Sequence, residues 1–117
     1  MSLEDDLYNA IKPLCVRVFP DVAPANTTTP YVTWQQIGGK APTYLDGSLT
    51  DKRNAFVQVN VWARTRLEAT QLMLQIEEAL CASTTFVARP QGALQAAFDD
   101  DTESRGAIQD FDIWVTR

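Results

Sequence analysis

The strongest constraint on the fold is one run near the middle of the chain, Ala55-Phe56-Val57-Gln58-Val59-Asn60-Val61-Trp62-Ala63. Its side chains alternate in character with a period of two, which is typical of a β-strand. The three valines share one face and are predicted to cover the core. The other face, formed by Phe56, Gln58, Asn60 and Trp62, is too polar for a dry core and too apolar for plain solvent. We therefore predict that this second face meets another subunit.

Two amphipathic helices are predicted, each opened by a capping signal. Residues 2–12 form the first, with Ser2 as its N-cap and Pro13 as its end. The capping box Thr65-Arg66-Leu67-Glu68 opens the second, predicted over residues 65–82. The apolar positions expected on the buried faces are Leu3, Leu7, Ile11 and Leu14 in the first helix and Ala69, Leu72, Met73, Ile76, Ala79 and Leu80 in the second.

Alternation and β-branched composition predict further strands around the second helix. They cover residues 16–19, 31–37, 85–89, 94–98 and 107–115. The resulting order is α-β-β-β-α-β-β-β. This order favours an α+β two-layer sandwich, in which two helices pack on one face of a mainly antiparallel or mixed sheet. A parallel α/β fold would need a helix between most strand pairs, and the sequence has none there. We expect residues 1–117 to form a single domain.

Composition narrows the function classes. The chain has no histidine, which excludes Ser-His-Asp and Cys-His catalysis and every histidine-bearing metal site. Fifteen acidic and ten basic residues give a formal charge of −5, which argues against direct nucleic-acid binding. No nucleophile, cofactor or phosphate-loop motif is found, so we expect no enzymatic activity, no cofactor and no metal.

The cysteines and the N-terminus predict a soluble intracellular protein. Cys15 and Cys81 form no C-x-x-C motif and are expected to be reduced thiols packed as small hydrophobes. The acidic start, Glu4-Asp5-Asp6, does not fit a secretory signal, and no apolar run is long enough to span a membrane.

The acidic segment Asp99-Asp100-Asp101-Thr102-Glu103 is the first place to look for a metal. As a calcium loop it departs from the pattern, because Ser104 stands where glycine is needed and Asp110 where a bidentate glutamate is needed. Two interpretations remain open. The segment is a solvated hairpin tip, or it is an electronegative patch, formed by Asp99, Asp100, Asp101 and Glu103, that faces a partner or a channel.

Several strings resemble the tail-completion proteins of long-tailed phages and prophages, also described as tail-terminator or tail-to-head joining proteins. The most specific are Pro30-Tyr31-Val32-Thr33-Trp34 and Val57-Gln58-Val59-Asn60-Val61-Trp62. The opening residues 1–8, helix 65–82 and the ending Gln109-Asp110-Phe111-Asp112-Ile113-Trp114 also resemble that family, so the likeness covers nearly the whole chain.

The resemblance implies a structural virion protein without catalytic activity. It implies a ring, typically a hexamer, at the head-proximal end of the tail tube, which ends tube growth and provides the surface for head–tail joining. The implied partners are other copies of the chain, the tail tube protein and the head–tail connector protein, with DNA only as passing cargo and no membrane. The implied location is the host bacterial cytoplasm during assembly and the virion tail afterwards.

The long connection 40–53 is the candidate arm of such a ring, because loops above about 12 residues in compact domains are often functional. Tyr44, Leu45, Lys52 and Arg53 are the residues expected to contact a neighbouring subunit or the tube, with the face of Phe56, Gln58, Asn60 and Trp62 as the complementary patch. Two alternatives stay open. One is a head-closure or connector component, and the other is a small α+β ligand-binding module with a pocket lined by Trp34 or Trp62.

Overall fold

Two helices form where the capping signals predicted them. The computed structural model describes residues 2–101 and 103–116. Helix α1 spans Leu3–Ile11, and the Ser2 hydroxyl accepts a hydrogen bond from the Asp5 amide at 3.1 Å. Helix α2 spans Arg66–Cys81, and the Thr65 hydroxyl accepts from the Glu68 amide at 3.2 Å. Each cap satisfies an amide that has no partner inside its own helix.

The strands confirm the predicted order and shift its boundaries by a few residues. They are β1 (Val18–Pro20), β2 (Tyr31–Gly38), β3 (Lys52–Ala63), β4 (Val87–Pro90), β5 (Gln95–Asp99) and β6 (Ser104–Thr116). Two strand starts shift by three residues: β6 begins at Ser104 rather than Ala107, and β3 begins at Lys52 rather than Ala55. Its added residues pair with the end of β6, from Lys52 opposite Thr116 to Asn54 opposite Trp114. Local sequence patterns cannot predict this extension, because the residues that pair lie about 60 positions apart in the chain.

The six strands form one mixed sheet in the order β1-β2-β3-β6-β4, with β5 also paired to β6. Only β1 and β2 run parallel, and the other pairs are antiparallel. Strands β4 and β5 share one edge of β6, since β4 pairs with residues 111–114 and β5 with residues 104–108. The long β3–β6 ladder is the centre of the sheet.

The core lies between the helices and one face of the sheet. Val57, Val59 and Val61 are fully buried, as predicted, together with Phe111 and Ile113 of β6. Helix α2 covers them with the stripe Ala69, Leu72, Met73, Ile76 and Leu80, and α1 packs against α2 and β1. Each fully buried valine- or leucine-sized side chain contributes about 1.5–3 kcal/mol. The α+β two-layer arrangement is therefore confirmed.

Three details differ from the sequence-based expectations. Leu14 lies beyond the end of α1 and is exposed, because the chain turns at Lys12–Leu14 and leaves the helical face. Cys15 is buried as expected, but Cys81 is exposed at the end of α2. Burial and the neighbouring Glu77 carboxylate still raise the pKa of the Cys81 thiol. Ala79 is only half-buried, at the margin of the helical stripe.

Candidate functional site

The face of the sheet opposite the helices is open. Phe56, Gln58, Asn60 and Trp62 all point to it and are half-buried, which is the intermediate environment that their mixed chemistry predicted. The sheet register sets them beside the matching residues of β2 and β6. In the middle row, Gln58 stands between Gln35 and Asp110. We call this surface the open face; along β3 it runs from Asn54 to Trp62.

Trp62 is held against the sheet by a glycine. Gly106 lies directly opposite Trp62 on β6. A Cβ added to Gly106 would stand 2.7 Å from Cζ3 and 2.8 Å from Cε3 of the indole. The ring therefore lies across the Gly106 backbone, and this contact gives the open face a flat aromatic end.

A buried asparagine anchors the opposite end. Asn54 is 4% exposed, and its Nδ2 donates to the Asp112 carboxylate at 2.5 Å and to the Ile113 carbonyl at 3.2 Å. Its Oδ1 accepts from the Lys40 amide at 2.8 Å. All the hydrogen-bonding groups of the side-chain amide except one lone pair are thereby used, and the chain that leaves β2 is tied to the β3–β6 ladder.

The segment between β2 and β3, residues 39–51, projects from this end and is called the arm. Its tip is an ordered turn, in which the Tyr44 amide donates to the Ser48 carbonyl at 2.8 Å and Thr43 bridges to Leu49. The Asp46 carboxylate accepts from the amide and hydroxyl of Ser48 at 2.9 and 2.6 Å. These bonds lower the pKa of Asp46, and the bond from the Ser48 hydroxyl has the largest effect.

The arm tip exposes apolar side chains although its backbone is ordered. Tyr44 is 56% exposed, Leu45 is exposed as fully as in an extended chain, and Leu49 is 58% exposed. The four arm residues singled out from sequence are not equivalent. Lys52 and Arg53 belong to β3, and as consecutive strand residues they point to opposite faces of the sheet. Placing them on the loop was wrong, because pairing with β6 extends the strand to Lys52.

The acidic segment forms the turn between β5 and β6 at the other end of the ladder. Asp100, Asp101 and Glu103 are exposed and Asp99 is half-buried, while Thr102 lies outside the described residues. The Asp101 amide donates to the Asp99 carboxylate at 3.0 Å. Within the described part of the chain, no group of three or more cysteine or acidic side chains is placed to hold a metal ion.

A groove beside the acidic turn was not predicted from sequence. Its floor is formed by Tyr31, Thr33, Asn60 and Trp62, and its wall by residues 21–27 and Thr29; Ser104 completes it. It encloses about 520 Å³. The pKa of Tyr31 is raised, mainly by burial and to a smaller extent by the negative charge of Asp99. Residues 21–29 have no period, so nothing in the sequence indicated that they border the open face.

Trp34 and Trp62, the two tryptophans considered for a ligand pocket, lie on opposite faces of the sheet. Trp34 is 6% exposed and belongs to the core, whereas Trp62 forms part of the groove floor. The structure thus presents an open face, an arm tip with exposed apolar side chains, and a groove that has Trp62 in its floor.

The family model described as tail completion protein gp17 matches residues 6–116. The chain belongs to the tail completion protein gp17 family. This confirms the resemblance on which the expected function rests, and it supports a role in the phage tail. None of the curated proteins searched matches the chain significantly. Neither helix in the described part of the chain is long and apolar enough to cross a membrane.

Proposed function

We propose that this chain is the subunit of a ring, a hexamer in the assembled tail, at the head-proximal end of the phage tail tube. The ring ends tube growth and offers the surface to which the head–tail connector binds. The match to the tail-completion family over residues 6–116 carries the proposal. The chain acts as one domain by contact alone, without catalysis, cofactor or metal.

The surfaces described above support a ring rather than a two-fold dimer. The arm projects from the Asn54 end of the β3–β6 ladder, whereas the groove lies at the Trp62 end of the open face, and the two differ in shape. A contact between dissimilar patches is heterologous, and repeated contacts of that kind close into rings or extend into filaments. Tyr44 and Leu45 on the arm, Lys52 and Arg53 at its base, and Phe56, Gln58, Asn60 and Trp62 on the open face are the proposed subunit or tube contacts.

The acidic turn has a role in the same proposal. Asp99, Asp100, Asp101 and Glu103 place four of the fifteen acidic residues of a chain of net charge −5 in one turn. Facing a partner or the ring channel, they would repel the phosphates of passing DNA and keep it from adhering. In this assignment the protein is made in the host bacterial cytoplasm and ends in the virion tail.

Negative-stain microscopy of lysates tests the function directly. The gene is disrupted in the phage or prophage that carries it, and a plasmid copy of the wild-type gene serves as the control. Overlong, headless tails beside DNA-filled heads would establish the terminator role. Tails of normal length that fail to join heads would instead favour a head-closure or connector component. Intact, infectious virions would overturn the whole proposal.

A further inference from the structure

The turn at the arm tip is closed by its own hydrogen bonds and displays apolar side chains. The backbone bonds run from Tyr44 to Ser48 and from Gly47 to Tyr44, at 2.8 and 2.9 Å. Gly47 has a φ of 88°, which a residue with a side chain rarely adopts. Leu45 nevertheless makes no packing contact that hides it from solvent. A preorganised tip that displays Tyr44 and Leu45 loses little entropy when those side chains are buried by a partner.

The groove has the complementary chemistry. Tyr31 and Trp62 provide an aromatic floor, and Val22-Ala23-Pro24-Ala25 provides a small, apolar wall. Val22 is 78% exposed, so this wall is itself unprotected. Amide and hydroxyl groups of Asn60 and Thr33 lie at its base, within 3.4 Å of each other. The groove thus suits an apolar or aromatic side chain with a polar end, such as a leucine beside a tyrosine.

The tip and the groove of one chain cannot meet. The arm leaves the sheet beside Lys52, and the groove lies at the other end of β3, beside Trp62. At ~3.3 Å per residue, a strand of this length spans about 36 Å. The molecule measures 52 Å in its longest dimension and only 26 by 25 Å across. Any contact between tip and groove must join two copies of the chain.

We propose that the arm tip of one copy docks in the groove of the next copy. Tyr44 and Leu45 enter between the wall of residues 22–25 and the floor of Tyr31 and Trp62. This inference rests on the proposed ring and names the contact that builds it. Charge does not drive the docking, since Asp46 lies beside Leu45 in the tip while Asp21 and Asp99 lie beside the groove. The apolar contact of Tyr44 and Leu45 with the groove is what favours it.

The contact is small, which determines how it must be tested. A tip of two or three side chains covers well under the ~1,000 Å² that a stable interface requires, so one such contact does not hold a free dimer together. In a ring, every copy makes the contact twice, once with its tip and once with its groove. We therefore expect to detect the docking in assembled tails.

Disulfide trapping in tails tests the docking. Leu45→Cys and Ala25→Cys are placed together in a Cys81→Ser background, which removes the exposed native thiol. The variant complements the disrupted gene, and purified tails are oxidised and run on a non-reducing gel. We expect a ladder of multimers of the 13.0 kDa chain that collapses on reduction. A variant with only one introduced cysteine should run as a monomer on the non-reducing gel, and particles assembled from the two such variants together should yield dimers only.

The outcomes separate this inference from the proposed function. Complete tails that give no ladder of multimers on the gel would overturn the docking and leave the ring function standing. A cross-link from the thiol introduced by Leu45→Cys to the tube protein would have the same meaning. Dimers from the Leu45→Cys variant alone would indicate contact between two tips and would also overturn it. If the first pair of substitutions blocks tail completion, Leu49→Cys with Val22→Cys is judged by the same rule. Intact virions formed after disruption of the gene would instead overturn the proposed ring function itself.

Discussion

Gly106 shows how one residue shapes the open face. Its missing side chain makes room for the Trp62 indole, and the Val61 carbonyl stands 3.1 Å from the position of an added Cβ. We expect Gly106→Ala to lower the free energy of unfolding by about 1–3 kcal/mol, because the ring must move off the sheet. Denaturant unfolding followed by tryptophan fluorescence measures this loss.

Gly92 provides the matched control, since a Cβ there meets nothing within 4 Å. Gly92→Ala should change the free energy of unfolding by no more than about 0.5 kcal/mol. Equal effects of the two substitutions would contradict the packing described for Trp62.

Asn54 holds the base of the arm through hydrogen bonds rather than packing. Asn54→Ala leaves the Lys40 amide and the Asp112 carboxylate without this partner. We expect a loss of about 1–3 kcal/mol in the free energy of unfolding and faster amide exchange at Lys40. Asn60→Ala, on the same face of β3, loses only a 3.4 Å contact with Thr33 and should have the smaller effect. Unchanged exchange at Lys40 would show that Asn54 does not anchor the arm.

At the scale of elements, α2 depends on its N-cap. Thr65 has extended backbone geometry, and its hydroxyl accepts from the Glu68 amide. We expect Thr65→Ala to cost about 1 kcal/mol of unfolding free energy, and Thr65→Ser, which keeps the hydroxyl, to recover most of it. Urea unfolding of the two variants beside the wild type checks this. A serine variant as unstable as the alanine variant would show that the cap is not the cause.

The arm tip should respond to acid. The folded pKa of Asp46 is lowered, chiefly by the Ser48 hydroxyl. Ordering of the turn by this carboxylate is therefore present above its unfolded pKa and is lost as the pH falls through the lowered folded pKa. We expect the Ser48 amide resonance to lose its bonded shift over that range in an NMR titration.

Ser48→Ala should move the Asp46 titration upward, toward the ordinary range of an aspartate, because the largest cause of the lowered pKa is removed. The Thr50 hydroxyl donates to the Lys52 carbonyl and does not contribute to the lowered pKa of Asp46, so Thr50→Ala should leave the titration in place. A shift in the Thr50 variant alone would contradict this account of the tip.

At the scale of the molecule, the arm is separable from the core. The Lys40 amide bonds to Asn54 and the Thr50 hydroxyl bonds to the Lys52 carbonyl at the base of the arm, and none of residues 39–51 is buried in the core. We expect deletion of residues 42–50 to abolish tail completion in a complementation assay while circular dichroism still shows a folded chain. Residues 39–41 and 51 remain to join β2 to β3.

A point substitution supports the deletion experiment. Leu74 is half exposed on α2, so Leu74→Ser removes an exposed leucine remote from the arm. It should complete tails, whereas Leu45→Ser should be impaired. A deletion variant that still completes tails would rule out the arm as an assembly contact.

The sequence determined much of this protein by local rules. Alternation along residues 55–63 assigned the buried and open faces correctly, because neighbouring strand residues point to opposite sides. The hydroxyls of Ser2 and Thr65 marked the helix starts, since a cap bonds an amide only three residues away. The absence of histidine restricted the chemistry without any knowledge of the fold.

Tertiary structure alone decided which distant residues share a surface. The pairing of Trp62 with Gly106, the extension of β3 to Lys52, and the shared edge of β4 and β5 depend on strand register, which is set by packing across the sheet. The groove joins residues 21–27 to Tyr31 and Trp62 only because β2 and β3 pair there. Local sequence signals extend over a few residues, whereas these contacts cross tens of residues and exist only when the whole core has formed.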